Sequence, residues 1–141
     1  MKLLIKSAFL FVCLGVVSCK DSIPESDLAY LNGYWEIEKV ELPDGDKKEY
    51  KVNESIDFIQ VKSRNGIRKK VYPQIDGRYL VNDVQERFTV TDSAGIWLLR
   101  YETRYGKWSE KIIAIDSSSL EIEGAAGAIY FYKRPQPFSI K

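Results

Sequence analysis

The 141-residue sequence predicts an all-β fold: a single antiparallel up-and-down β-barrel of about eight strands behind an N-terminal signal helix. Three observations carry that expectation. Apolar and aromatic residues alternate with polar ones in short runs, the period-two pattern of a half-buried strand. Turn residues recur at intervals of roughly ten positions. Helical character after the signal is confined to Glu25 to Leu31, one or two turns before the first strand. Short antiparallel strands in such number close into a barrel or stack as two sheets, so a β-sandwich stays open as the alternative.

Residues 1–18 read as a signal segment. Lys2 and Lys6 give a basic start, Ala8 to Val17 an apolar run, and Val16-Val17-Ser18 leads directly into Cys19. Thirteen residues separate Lys6 from Lys20, too few for the about 20 that cross a bilayer. The ending Val-Val-Ser-Cys resembles a bacterial lipobox, which implies lipidation of Cys19 as the new N-terminus and an anchor in the membrane. Each buried CH₂ of an acyl chain contributes about 0.8 kcal/mol, so several chains hold stably. A plain signal peptide with a free Cys19 is the rival reading, and the small Ser18 favours lipidation. Lys20 follows the cysteine where an inner-membrane retention signal has aspartate, which points to the outer membrane. Asp21 is adjacent but Glu25 is distant, so the periplasmic and surface-facing sides both stay open.

Residues 19–27 form a polar tether, 28–134 one barrel domain, and 135–141 a short tail containing Pro135 and Pro137. The first strand runs from Trp35 to Leu42, with a phase slip between Ile37 and Val40 that calls for a bulge. Pro43-Asp44-Gly45-Asp46 is a turn. Tyr50 to Val52 and Ile56 to Val61 follow, with Asn65-Gly66 as the expected hairpin turn. Further strands are expected at Ile67 to Tyr72, Gly77 to Val81, Arg87 to Thr91 and Ile96 to Thr103. Trp108 to Ile115, Leu120 to Glu123 and Ala128 to Arg134 complete the set.

One hairpin can be worked out residue by residue. A two-residue turn at Tyr105-Gly106 pairs Thr103 with Trp108, Tyr101 with Glu110, and Leu99 with Ile112. Leu99, Tyr101, Thr103, Trp108, Glu110 and Ile112 then share the inner face. Glu110 is a carboxylate among aromatic groups and needs a partner there. That partner is the Tyr101 hydroxyl, an Arg or Lys from a neighbouring strand, or part of a ligand.

Composition removes whole classes of chemistry. The chain has no histidine and two cysteines, Cys13 in the signal and Cys19 at the anchor. Disulfides, thiolate metal sites and Ser-His or Cys-His nucleophiles are therefore not expected in the domain, and neither a metal site nor a cofactor is. Removing the signal leaves 19 basic and 20 acidic side chains, a formal charge of −1, which does not suit nucleic-acid binding. Carboxylates are numerous, yet no spacing selects a catalytic pair. Gly124 to Gly127 lacks the Lys-Ser/Thr of a phosphate loop. The sequence predicts a protein that is not an enzyme. Arg64, Arg68, Lys69 and Lys70 surround the expected Asn65-Gly66 turn as a solvated hairpin face, or as a dock for anionic lipid.

Leu31-Asn32-Gly33-Tyr34-Trp35-Glu36-Ile37 resembles the Gly-x-Trp opening of lipocalins. Ile129 to Arg134 resembles their closing strand with its basic end. With Arg68-Lys69-Lys70, Asp76-Gly77, Tyr101-Glu102-Thr103 and Trp108 to Ile112 between them, the chain is similar to the lipocalin-like lipoproteins of Bacteroidetes. The resemblance implies a barrel closed by Gly33, Trp35 and Arg134, with Lys133 the second choice for the basic group over the indole. The chain is shorter than most secreted lipocalins, and it lacks a clear C-terminal helix and the usual disulfide. Candidate ligand-facing residues are Tyr79, Phe88, Leu99, Tyr101, Trp108, Glu110, Tyr130 and Tyr132, with Trp35, Phe58 and Phe88 also explained as core. Two functions follow as expectations: an envelope lipoprotein holding a small hydrophobic or amphipathic ligand, or a structural or protein-interaction subunit of the envelope with a filled barrel.

Overall fold

The structure is a computed structural model and describes residues 22–137. The signal, the lipobox and Cys19, and the last residues of the tail lie outside that range. Ten strands follow a 3₁₀ helix at Glu25–Leu31. They are β1 (Gly33–Glu41), β2 (Lys47–Glu49), β3 (Ile56–Lys62), β4 (Asn65–Pro73), β5 (Tyr79–Val81), β6 (Glu86–Ser93), β7 (Ile96–Thr103), β8 (Gly106–Ile115), β9 (Ser119–Glu123) and β10 (Ile129–Lys133). Their order is β10-β9-β8-β7-β6-β4-β3-β1, and β1 pairs back onto β10. Eight antiparallel strands therefore form a closed barrel, and a sandwich is excluded.

β2 and β5 are short additions. β1 pairs with β3 over Gly33 to Trp35, then leaves it and pairs with β2 over Lys39 to Glu41. β4 likewise pairs with β6 up to Arg68, then with β5 from Val71 to Pro73. At the end of the barrel away from the helix, the β3–β4 hairpin thus stands free of its ring neighbours on both sides. Those two gaps become openings into the interior.

The interior follows from alternation. Trp35, Ile59, Phe88, Val90, Leu99, Tyr101, Leu120 and Ile122 point inward and are nearly inaccessible, while Thr89, Arg100 and Glu102 between them are exposed. Register shifts between Ile37 and Lys39 in β1 and between Ile112 and Ala114 in β8 keep Val40 and Ile115 inside after the phase changes. The 3₁₀ helix plugs one end with Leu28 and Leu31.

Four local expectations are corrected. The β3–β4 turn is Ser63-Arg64, both left-handed at φ 49 and 63, rather than Asn65-Gly66. Arg64 is held there by Glu25 and by the Trp97 ring, whose centroid lies 5.1 Å away. Gly66 belongs to β4, where a Cβ would stand 2.2 Å from the Phe88 ring. The β7–β8 turn is Arg104-Tyr105, so Tyr101 faces Trp108 and Leu99 faces Glu110. Thr103 Oγ1 accepts the Tyr105 N–H at 3.1 Å, and Gly106, at φ +147, opens β8. The register moves by two residues, which leaves every side chain on its expected face. The second strand is Lys47–Glu49 rather than Tyr50 to Val52, because it continues straight from the turn after Glu41. Gly77, at φ +83, sits in the turn ahead of β5, which begins at Tyr79.

Candidate functional site

The plugged end is built around Trp35, which is fully buried and donates its indole N–H to Leu31 O at 3.0 Å. The Arg134 guanidinium lies over the indole with its carbon 3.6 Å from the ring centroid. It donates to Tyr34 O at 3.0 Å, to Tyr30 O at 2.8 Å and to Ser117 O at 3.1 Å. Partial burial lowers its pKa. Gly33, at φ +113, makes room for it: a Cβ there would meet Nη1 at 3.1 Å. One arginine thus ties the helix, β1 and the β8–β9 turn, a structural task.

The centre of the barrel holds charge. Asp57 on β3 faces Lys70 on β4, and Arg68 reaches inward two positions earlier on the same strand. Arg68 Nη2 donates to Asp57 Oδ2 and to the Tyr132 hydroxyl, each at 2.7 Å. Its Nη1 donates to Glu110 Oε2 at 3.1 Å and to the Tyr101 hydroxyl at 3.2 Å. Lys70 Nζ lies 2.5 Å from Asp57 Oδ1, yet that oxygen accepts no directed hydrogen bond, so the contact is an ion pair. Two cations and two carboxylates balance.

Burial raises the Asp57 pKa, but Arg68 and Lys70 outweigh it and hold the carboxyl below its ordinary value. Burial also disfavours charge on Arg68. Tyr132, Asp57, Tyr101 and Glu110 overcome that and place its pKa well above the usual one. Burial pushes the Tyr132 hydroxyl up to about 12 and the Tyr101 hydroxyl higher still, against the pull of Arg68. Asp57, Arg68, Tyr101 and Tyr132 therefore keep fixed protonation states through the neutral range.

Beside the cluster, β6, β7 and β8 contribute an inner aromatic row. Gly66, Phe88, Tyr101 and Trp108 are successive cross-strand partners. Tyr101 stacks on Trp108 at 5.0 Å and 7°, and Phe88 tilts against Tyr101 at 5.3 Å. Phe88, Leu99, Tyr101, Trp108 and Glu110 are in this way wall and filling.

Space remains at the two gaps. Between β1 and β3 opens a pocket of about 240 Å³ whose walls include Ile37, Val40, Tyr50, Ile56, Tyr130 and Tyr132, with Trp35 deep inside and Asp57 and Lys70 at its base. Between β4 and β6 lies a second hollow of about 140 Å³ that also reaches Asp57, Arg68 and Lys70. Of the ligand-facing candidates, Tyr130 and Tyr132 line the larger pocket. Tyr79 stands apart from them: it stacks on Tyr34 at 4.3 Å, because β5 pairs only with the far half of β4, and lines a separate pocket of about 360 Å³ with Glu36, Pro73, Gly77 and Lys133. Among the described residues, no group of three acidic, Cys or His side chains is placed to hold a metal ion.

Asp57, Arg68 and Lys70 escaped the sequence reading. Arg68 and Lys70 were expected on a solvated hairpin face; Arg68 instead fills the interior, and Lys70 spans from its strand to the Asp57 carboxylate. A turn at Asn65-Gly66 sets Asp57 opposite Gln74, which hid the pair. The signal was present as a lone aspartate between inward apolar positions in Ile56 to Val61.

No family model matches the chain, and no curated protein sequence matches it. Among solved structures, it is similar to a lipocalin-like protein from Bacteroides uniformis, with 14% identity and a TM-score of 0.47, covering 75% of this chain and 99% of that one.

Proposed function

We propose that this chain is a membrane-anchored envelope lipoprotein whose barrel binds a small amphipathic ligand at its open end. The observation that carries the reading is the pocket between β1 and β3, aromatic and aliphatic on its walls and charged at its base. Ligand pockets usually run to about 300–1,000 Å³ and are mostly apolar with a few placed polar groups. This one is smaller, so it takes a compact molecule, or the head and first carbons of a longer one. Lys70 stands at the base with more than half of its side chain exposed, within reach of an anionic head group. Tyr130 and the Tyr50 ring flank the apolar part. Binding rather than catalysis is the role, since the buried Asp57 and the half-buried Glu110 are both tied up by Arg68.

A second reading, a bracing or protein-interaction subunit, draws support from the filled centre: Arg68 and the aromatic row occupy the space a wide calyx would need. Titration with single-chain carboxylic acids of increasing length, followed by tryptophan fluorescence, separates the two. Saturable binding that weakens in Lys70→Gln supports the ligand pocket. Absence of binding at every length leaves the bracing role. The anchor has its own test: Cys19→Ser should move the chain from the membrane to the soluble fraction, and unchanged membrane association would contradict lipidation.

A further inference from the structure

A concavity larger than either opening beside Asp57 lies outside the barrel. It is an open groove of about 920 Å³ on the outer face of β3, β4, β6, β7 and β8. Five strands at about 4.8 Å spacing make it about 19 Å long, with the backbone of the Gly66, Phe88, Tyr101 and Trp108 row running through it. Lys62, Arg87, Arg100 and Lys107 line it against a single carboxylate, Glu102, which pairs with Lys107 at 3.0 Å. Lys62 and Arg87 meet no carboxylate among the described residues. Arg100 is braced by Thr91 Oγ1 at 2.9 Å, which fixes its direction. The whole domain is close to neutral, so this excess of three positive charges is a local feature.

The rest of the lining is uncharged: Ile67 and the strand row of Gly66, Phe88, Tyr101 and Trp108 give apolar surface, and polar side chains stand between them. Thr89, Thr91 and Ser109 supply hydroxyls, and Gln60 and Asn65 supply amides. Phe88 and Tyr101 are buried in the interior, and the half-buried Trp108 shares their inner row and stacks on Tyr101, so the row presents no free ring on the outer face for nucleic-acid bases to stack on. We propose that this groove binds an extended acidic polysaccharide. Its carboxylate or sulfate groups meet the four cations, and its hydroxyls meet the Thr, Ser, Gln and Asn side chains between them. The groove shares no residue with the pocket between β1 and β3, so the proposal stands apart from the ligand reading.

The test uses the full chain in detergent and fluorescently labelled oligogalacturonate, with neutral galactan, poly-glutamate and phosphatidylglycerol vesicles as competitors. Binding should be saturable, weaken as salt is raised, and fall about tenfold in the Arg87→Gln/Arg100→Gln double variant. Lys62→Gln should lower it by a smaller factor and serves as the second probe if the double variant loses its fold. Tyr130→Ala, in the separate pocket, should leave it unchanged. No binding, equal competition by galactan, stronger competition by poly-glutamate or by the vesicles, or full affinity in both groove variants would each overturn the proposal.

Discussion

Asp57 is the residue on which the interior turns. It is 2% exposed and is held by two cations. Removing one partner of a buried ion pair costs about 3–5 kcal/mol, because the remaining charges stay desolvated. Asp57→Asn should therefore destabilise by about 3 kcal/mol in urea denaturation, with Arg68 and Lys70 left short of a counter-charge. The pH dependence has a definite sign. The folded-state pKa lies below the ordinary 3.8, so the stabilisation is complete above that value and is lost as pH falls through the folded pKa. Below pH 4, about where an unfolded aspartate titrates, the wild-type curve should drop more steeply than that of the Asn variant. Gly66 offers a second residue-scale test. A Cβ placed there collides with the Phe88 ring, while its φ is an ordinary one, so the demand is purely steric. Gly66→Ala should cost about 1–3 kcal/mol. Phe88→Leu should remove most of that cost, so the double variant is less destabilised than the sum of the singles.

At the scale of elements, strand positions were legible because period-two alternation is set by the inside and outside of one sheet. The 3₁₀ helix at Glu25–Leu31 was legible for a related reason: Leu28 and Leu31 are its only large apolar side chains that are buried. Turns were less legible. Asn65-Gly66 carries the strongest local turn preference, yet the chain turns at Ser63-Arg64, where tertiary contacts of Arg64 and the Phe88 ring outweigh it. The β2 strand is all charged, and its Lys47 pairs with Glu41 at 3.2 Å, so no apolar pattern could reveal it. The central ion cluster was missed through the same turn: a register error of four residues moved Lys70 away from Asp57. The β6–β7 turn provides a check on this account. Ala94 sits at φ 52 ahead of Gly95 at φ 83, a pair of left-handed residues that suits Asn-Gly. Ala94→Asn should stabilise by about 0.5–1 kcal/mol, read as a higher Tm with the fold unchanged.

On the scale of the whole molecule, one hairpin decides the architecture. β1 leaves β3 after Trp35 and takes up β2 from Lys39, and β4 leaves β6 after Arg68 and takes up β5 from Val71, which frees the end of the β3–β4 hairpin. The barrel therefore closes as an eight-strand ring yet stays open beside Asp57 and Lys70. The same economy fills the centre with Arg68 and its partners and confines free space to the rim. A ligand bound here is small, or is only partly swallowed. Native mass spectrometry of the full chain extracted from membranes tests this most directly, with Tyr130→Trp as the variant that narrows the pocket. The wild type should carry one small amphipathic molecule, and the variant should lose it while keeping its Tm. A wild type that carries nothing, or a variant that carries the same adduct, would contradict the open-end pocket as the binding site.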